Sequence, residues 1–127
     1  MEEIISINKG YMKKDKKDIY IQEFTNNEDV ISKYSAPPNA VENAEVLLAW
    51  YGYGDYCGSS FVLFKKEGKL YEVNGSHCSC YGLEGQWQPE ETNKESLYLR
   101  ATEGYTFYEC ESSEVAKERL LEVVNTL

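Results

Sequence analysis

No apolar run in this chain approaches the roughly 20 residues that a bilayer-spanning helix needs, so insertion into a membrane by a helix is not expected. The opening residues, MEEIISINKGYMKKDKK, place acids before lysines and carry no apolar stretch ahead of a small-residue cleavage site. No signal peptide is read there, secretion is not expected, and the reading is a protein of the reducing cytoplasm. The glycines never fall into the phosphate-cradling patterns GxGxxG or GxxxxGKS/T ahead of a helix, which argues against a nucleotide turn of either kind. Basic residues are scarce outside one short segment. Five of the 13 are Lys9, Lys13, Lys14, Lys16 and Lys17, and from Asp18 onward 8 basic residues stand against 19 acidic ones. A body with a balance of −11 repels polyanions, so direct nucleic-acid binding is not expected. Internal repeats and low-complexity tracts are also missing.

What is present fits one domain. The chain has 127 residues, 42% of them hydrophobic and 13% aromatic, enough apolar material for one core and too much for a disordered chain. We therefore read residues 1–127 as a single domain with residues 1–17 as a Lys-rich arm. The acidic surface suits a partner with a basic face, although solubility alone also accounts for it. Four cysteines, Cys57, Cys78, Cys80 and Cys110, occur in a chain read as cytoplasmic, so all four thiols are expected to be free.

Hydrophobic patterning places the elements. Asp18–Phe24 is rich in β-branched and aromatic residues and reads as a strand. Thr25 followed by Glu28 has capping-box spacing and opens a helix over about 26–34, which Pro37 and Pro38 end. The continuous apolar run from Glu45 suits a central strand, Ser59–Lys65 gives a second, and Lys66-Glu67-Gly68 turns into a third over Lys69–Asn74. In that third strand Leu70, Glu72 and Asn74 share one face, and Tyr71 and Val73 the other. Gly75–Gly85 reads as an ordered loop. Thr92 and Glu95 repeat the capping-box spacing and start a helix over about 93–101, with Leu97 and Tyr98 turned inward. Tyr105–Cys110 reads as a last strand. Ser112 or Ser113 caps a C-terminal helix whose Ala116, Leu120, Val123, Val124 and Leu127 form an apolar stripe. The expected fold is α+β: a small antiparallel sheet, with a meander around residues 45–74 and strands near 18–24 and 105–110, packed by two or three helices including the C-terminal one.

The stretch LYEVNGSHCSCYGLEGQWQPEET, residues 70–92, resembles a signature of small, uncharacterised proteins of bacteriophages and prophages. The resemblance runs over about residues 45–100 and includes Gly58-Ser59-Ser60-Phe61-Val62-Leu63 ahead of the signature. Such proteins carry no established activity, so no functional residue is transferred. The resemblance implies a context, that of a phage accessory gene acting inside the bacterial cell.

Four constellations bear on chemistry. His77-Cys78-Ser79-Cys80 offers imidazole and thiols, the usual zinc ligands, and Cys57, Cys110 or Asp55 would have to complete a set. Against this stand the absence of a second knuckle and the adjacency of the one histidine to a thiol. The plainer reading makes Cys78 and Cys80 small buried hydrophobes and His77 a hydrogen-bonding residue. A thiol nucleophile at Cys78 or Cys80 would need His77 as base, but neighbours on an extended chain face opposite ways, and no cysteine-enzyme signature flanks them. Tyr51, Tyr53, Tyr56, Tyr81 and Trp87 lie among glycines near Asn74 and offer an aromatic recognition surface, or simply edge packing. Glu114, Glu118 and Glu122, four apart, line one ridge of the C-terminal helix, with Glu84, Glu90, Glu91 and Glu95 as a second patch.

These observations favour a binder over an enzyme. The function expected is non-enzymatic binding and inhibition of a host protein, an antiviral-defence factor among the candidates, through an acidic and aromatic surface. The alternatives are a protein that binds or sequesters a small molecule such as a nucleotide signal, and a Cys/His metal site or thiol enzyme. No cofactor is implied, and homo-oligomerisation stays open.

Overall fold

The computed structural model describes residues 19–22, 24–52, 57–103 and 113–127. The strand expected at 105–110 and the Lys-rich arm lie outside them. The fold is α+β: a five-stranded sheet with strands in sequence order, β1 (Tyr20–Gln22), β2 (Ala44–Tyr51), β3 (Cys57–Lys66), β4 (Lys69–Cys78) and β5 (Glu90–Thr92). Among the described residues three helices accompany it, α1 (Asn27–Tyr34), α2 (Lys94–Glu103) and α3 (Ser113–Thr126). Among the described residues no helix is long and apolar enough to cross a membrane.

The meander is present. β3 pairs antiparallel with both β2 and β4, and β5 adds antiparallel to Leu70–Glu72 of β4. Glu67 and Gly68 both take positive φ, 53° and 79°, which is the two-residue turn that matches the twist of the flanking strands. Two expectations change. β1 pairs parallel with β2, so the sheet is mixed rather than antiparallel. A parallel neighbour requires a crossover, and α1 lies within the segment that supplies it. In addition, β4 runs on to Cys78, so the first four residues of the expected 75–85 loop are strand.

The long apolar run in β2 has a physical reason. Both faces of the sheet are covered, and a bulge at Leu47 resets the alternation, so Val46 and Leu48 face opposite ways. On one face Val46, Ala49, Val62, Phe64 and Val73 pack with Phe24, with Val30 and Tyr34 of α1, and with Leu83. On the other face Leu48, Trp50, Phe61 and Leu63 meet Leu97 of α2 and Ala116, Leu120 and Val124 of α3. Each large side chain withdrawn from water in this way contributes about 1.5–3 kcal/mol.

The helix starts differ from expectation by one residue, in the same way twice. Asn26, not Thr25, caps α1, its side-chain oxygen accepting from the Asp29 N–H at 2.8 Å. Asp29 in turn accepts from the Thr25 backbone N–H and hydroxyl. Asn93, not Thr92, caps α2 by accepting from the Ser96 N–H at 2.8 Å, and Thr92 belongs to β5. Tyr98, expected to face inward, is half exposed, because Leu97 alone occupies the buried stripe of α2.

Beneath α2 a buried carboxylate is paired. Glu72, 2% exposed, forms an ion pair with Arg100 of α2 and accepts from the Asn74 side-chain amide at 2.8 Å. The shared face read for Glu72 and Asn74 thus becomes a hydrogen bond two residues along the strand.

Candidate functional site

Three places carry the residues singled out from the sequence. The first is the far end of the β3–β4 ladder. Gly58 lies opposite His77, and because Gly58 has no side chain the imidazole reaches across β3 towards β2. There His77 Nε2 lies 2.7 Å from the Gly52 carbonyl oxygen, and its ring stacks on Tyr51 with centroids 4.2 Å apart. Phe24 meets the Tyr51 ring edge-on at 5.6 Å, and Lys33 Nζ stands 5.3 Å from its centroid. Tyr51 and His77 are therefore brought together, but as an internal brace. Trp87 is likewise spent on packing, against Tyr34 at 5.3 Å and Phe64 at 5.9 Å. Tyr34 donates to Ser60 Oγ at 2.7 Å, and burial pushes its hydroxyl well above the ordinary tyrosine range.

One register step further out, Cys57 and Cys78 face each other and are joined by a disulfide. This corrects the expectation of free thiols for these two residues. The register explains it: two cysteines directly opposite on adjacent antiparallel strands already have their β-carbons side by side. It also alters the metal reading, because two of its sulfurs are bonded to each other and His77 is turned to Gly52. Among the described residues no group of three or more His, Cys, Asp or Glu side chains is placed to hold a metal. Cys80 is a free, exposed thiol, and Tyr81 is half exposed with its hydroxyl 3.6 Å from Cys78 Sγ. Tyr53, Asp55, Tyr56 and Cys110 lie outside the described residues.

The second place is the edge of β4. Gln86 lays its carboxamide along that edge like a short strand. Its oxygen accepts from the Ser76 N–H, and its nitrogen donates to the Ser76 and Gly82 carbonyls, all at 2.8–2.9 Å. Between Gln86 and β5 a cleft of about 240 Å³ opens, lined by Asn74, Gly85, Gln86, Gln88 and Glu90. No basic residue lines it and one carboxylate does, so it suits a neutral polar group better than a phosphate.

The third place is the outer surface of α2 and α3. The ridge of Glu114, Glu118 and Glu122 is less acidic than its spacing suggests, because Glu114 pairs with Lys117 at 3.5 Å and Glu122 with Arg119 at 3.4 Å. Beside it lies a feature that the sequence reading missed. Lys94, Glu95, Tyr98 and Leu99 of α2 and Val124 and Asn125 of α3 line a groove of about 490 Å³ with mostly apolar walls. Tyr98 is 50% and Leu99 55% exposed. Lys94 Nζ donates to the Leu127 carbonyl at 3.3 Å and ties the start of α2 to the end of the chain beside the groove. The signal for it was present in Leu97-Tyr98-Leu99, since three consecutive apolar residues on a helix cannot all face one core.

No family model matches the chain, and no curated protein and no solved structure is found to be similar to it.

Proposed function

We propose that this chain is a phage accessory protein that binds a host protein and inhibits it through the contact itself. The observation that carries this reading is the apolar groove between α2 and α3, with Tyr98 and Leu99 half exposed on its rim. An isolated exposed leucine is ordinary, but an aromatic and an aliphatic side chain beside one concave apolar surface make an anchor for a partner. The partner's chemistry follows from charge. A body with a balance of −11 steers a basic segment towards it, and an apolar side chain in that segment fills the groove. A defence factor with an amphipathic, lysine- or arginine-rich segment fits this description, and the resemblance of residues 45–100 to phage proteins supports the setting. Compared with the acidic and aromatic surface expected from the sequence, the proposed contact moves from Tyr51 and Trp87, which are engaged inside, to Tyr98 and Leu99.

The test is affinity purification from infected cells of the wild-type chain and of Leu99→Asp, with proteins and extracted metabolites both identified. One host protein retained by the wild type and lost from a folded Leu99→Asp supports the reading. Equal retention by both contradicts it.

A second reading, small-molecule binding, draws on the cleft lined by Asn74, Gln86, Gln88 and Glu90. Its lining favours a neutral polar ligand over the nucleotide signal first considered. A metabolite that co-purifies with the wild type and is lost from Gln88→Ala would establish it in place of the first.

A further inference from the structure

We propose that Cys57, Cys78 and Cys80 form a thiol–disulfide exchange site whose substrate is a low-molecular-weight disulfide. The three cysteines lie at one end of the β3–β4 ladder and in the turn just beyond it. Cys57 and Cys78 close the end of the β3–β4 ladder. Immediately beyond, the Cys78 N–H donates to the Tyr81 carbonyl at 2.9 Å and the Tyr81 N–H to the Cys78 carbonyl at 3.2 Å. Ser79 and Cys80 are thereby the two central residues of a tight turn, and the free thiol is held two residues from a bonded sulfur.

Placement separates this disulfide from an inert staple. Cys57 and Cys80 are both exposed, and Cys78 is only half buried. Exposed disulfides are the labile ones, and exchange requires an accessible thiolate close to the sulfur that it attacks. The hairpin does not depend on the bond for its register, since the Glu67–Gly68 turn and the ladder from Lys66↔Lys69 to Gly58↔His77 fix it already.

The first step is an internal exchange with no net oxidation, and in the second the small disulfide is itself the oxidant. The Cys80 thiolate attacks Cys78 Sγ, the Cys78–Cys80 bond forms, the Cys57–Cys78 bond breaks, and the electron pair leaves on Cys57 as a thiolate. The exposed Cys57 thiolate then attacks a small disulfide, bonds one of its sulfurs and releases the other as a thiolate. The number of disulfides is unchanged in each step.

The test uses the full chain, purified without reductant and incubated with glutathione disulfide at mildly alkaline pH, then acid-quenched and mapped by peptide mass spectrometry. The expected product carries glutathione on Cys57 and a Cys78–Cys80 bridge. Cys80→Ser should lose the Cys57 adduct, whereas Cys110→Ser should keep it, which shows that the attacking thiol is Cys80. An intact Cys57–Cys78 bond in the wild type, with or without glutathione on Cys80, would overturn the proposal. So would an adduct on Cys57 that forms as fast in Cys80→Ser as in the wild type.

Discussion

His77 and Tyr51 sit on strands that do not pair with each other, yet their rings stack 4.2 Å apart across the strand between them. The contact exists because the residue in the way is Gly58. A β-carbon built there would overlap the Gly52 carbonyl oxygen and come within 2.7 Å of His77 Nε2. Gly58→Ala is therefore expected to destabilise the protein by at least about 3 kcal/mol, in the range of mutations that break a packed arrangement. Urea unfolding of Gly58→Ala and of the Gly58→Ala/His77→Ala double variant measures it. The double variant should recover only part of the loss, because the backbone oxygen still obstructs the methyl group.

The buried tyrosine gives the stability a pH dependence of defined sign. Tyr34 ionises at a higher pH in the folded chain than the 10.0 of an exposed tyrosine. Its contribution is complete below pH 10 and declines as pH rises above that value, by up to about 1.4 kcal/mol per pH unit. Tyr20, also raised by burial, adds in the same direction. Tyr34→Phe should cost about 1 kcal/mol at neutral pH, from the lost bond to Ser60, and make the decline above pH 10 shallower. Urea midpoints at neutral pH and on either side of pH 10 measure both effects. An unchanged alkaline slope would contradict this account of Tyr34.

A third expectation concerns Glu72 and Arg100. The Glu72 side chain is 3% exposed and the Arg100 side chain 34%, so removing only Arg100 leaves a buried charge. Arg100→Met should cost about 3–5 kcal/mol, whereas Glu72→Met/Arg100→Met should cost much less. Thermal unfolding of the two single variants and the double gives the coupling energy. Additive losses would contradict a paired buried carboxylate.

The helix caps supply a fourth. Asn93→Ala should cost about 1 kcal/mol, because its side chain holds the Ser96 N–H, whereas Thr92→Ala at the same helix start should be nearly neutral. Chemical unfolding of the two variants separates the assignments. A larger loss at Thr92 would restore the capping reading taken from the sequence.

These caps also show what the sequence makes legible. Thr-x-x-Glu spacing correctly announces both helices and misplaces both starts, since asparagine follows threonine each time and caps at least as well. The β2–β3–β4 meander was readable because apolar runs and the Glu67–Gly68 turn are local signals. The parallel pairing of β1 was not, because it depends on where α1 carries the chain. The disulfide was missed for a similar reason: Cys57 and Cys78 become neighbours only once the register is known. Within the candidate sites, Tyr51 and His77 stack on each other, and that contact spends them on structure. Tyr98 was assigned to the core although Leu97 already filled the inward position, and that assignment concealed the groove.

The central claim, that the groove between α2 and α3 is the contact surface for a basic host protein, is tested most directly by site-specific photocross-linking in infected bacteria. The photoreactive side chain is placed at Leu99 in one variant and at Glu67, in the β3–β4 turn, in another. The account predicts a single host-protein adduct from position 99, none from position 67, and loss of the adduct when Tyr98→Ala is combined with the probe at 99. The same adducts from both positions, or adducts at 99 only with a second copy of the chain, would contradict it.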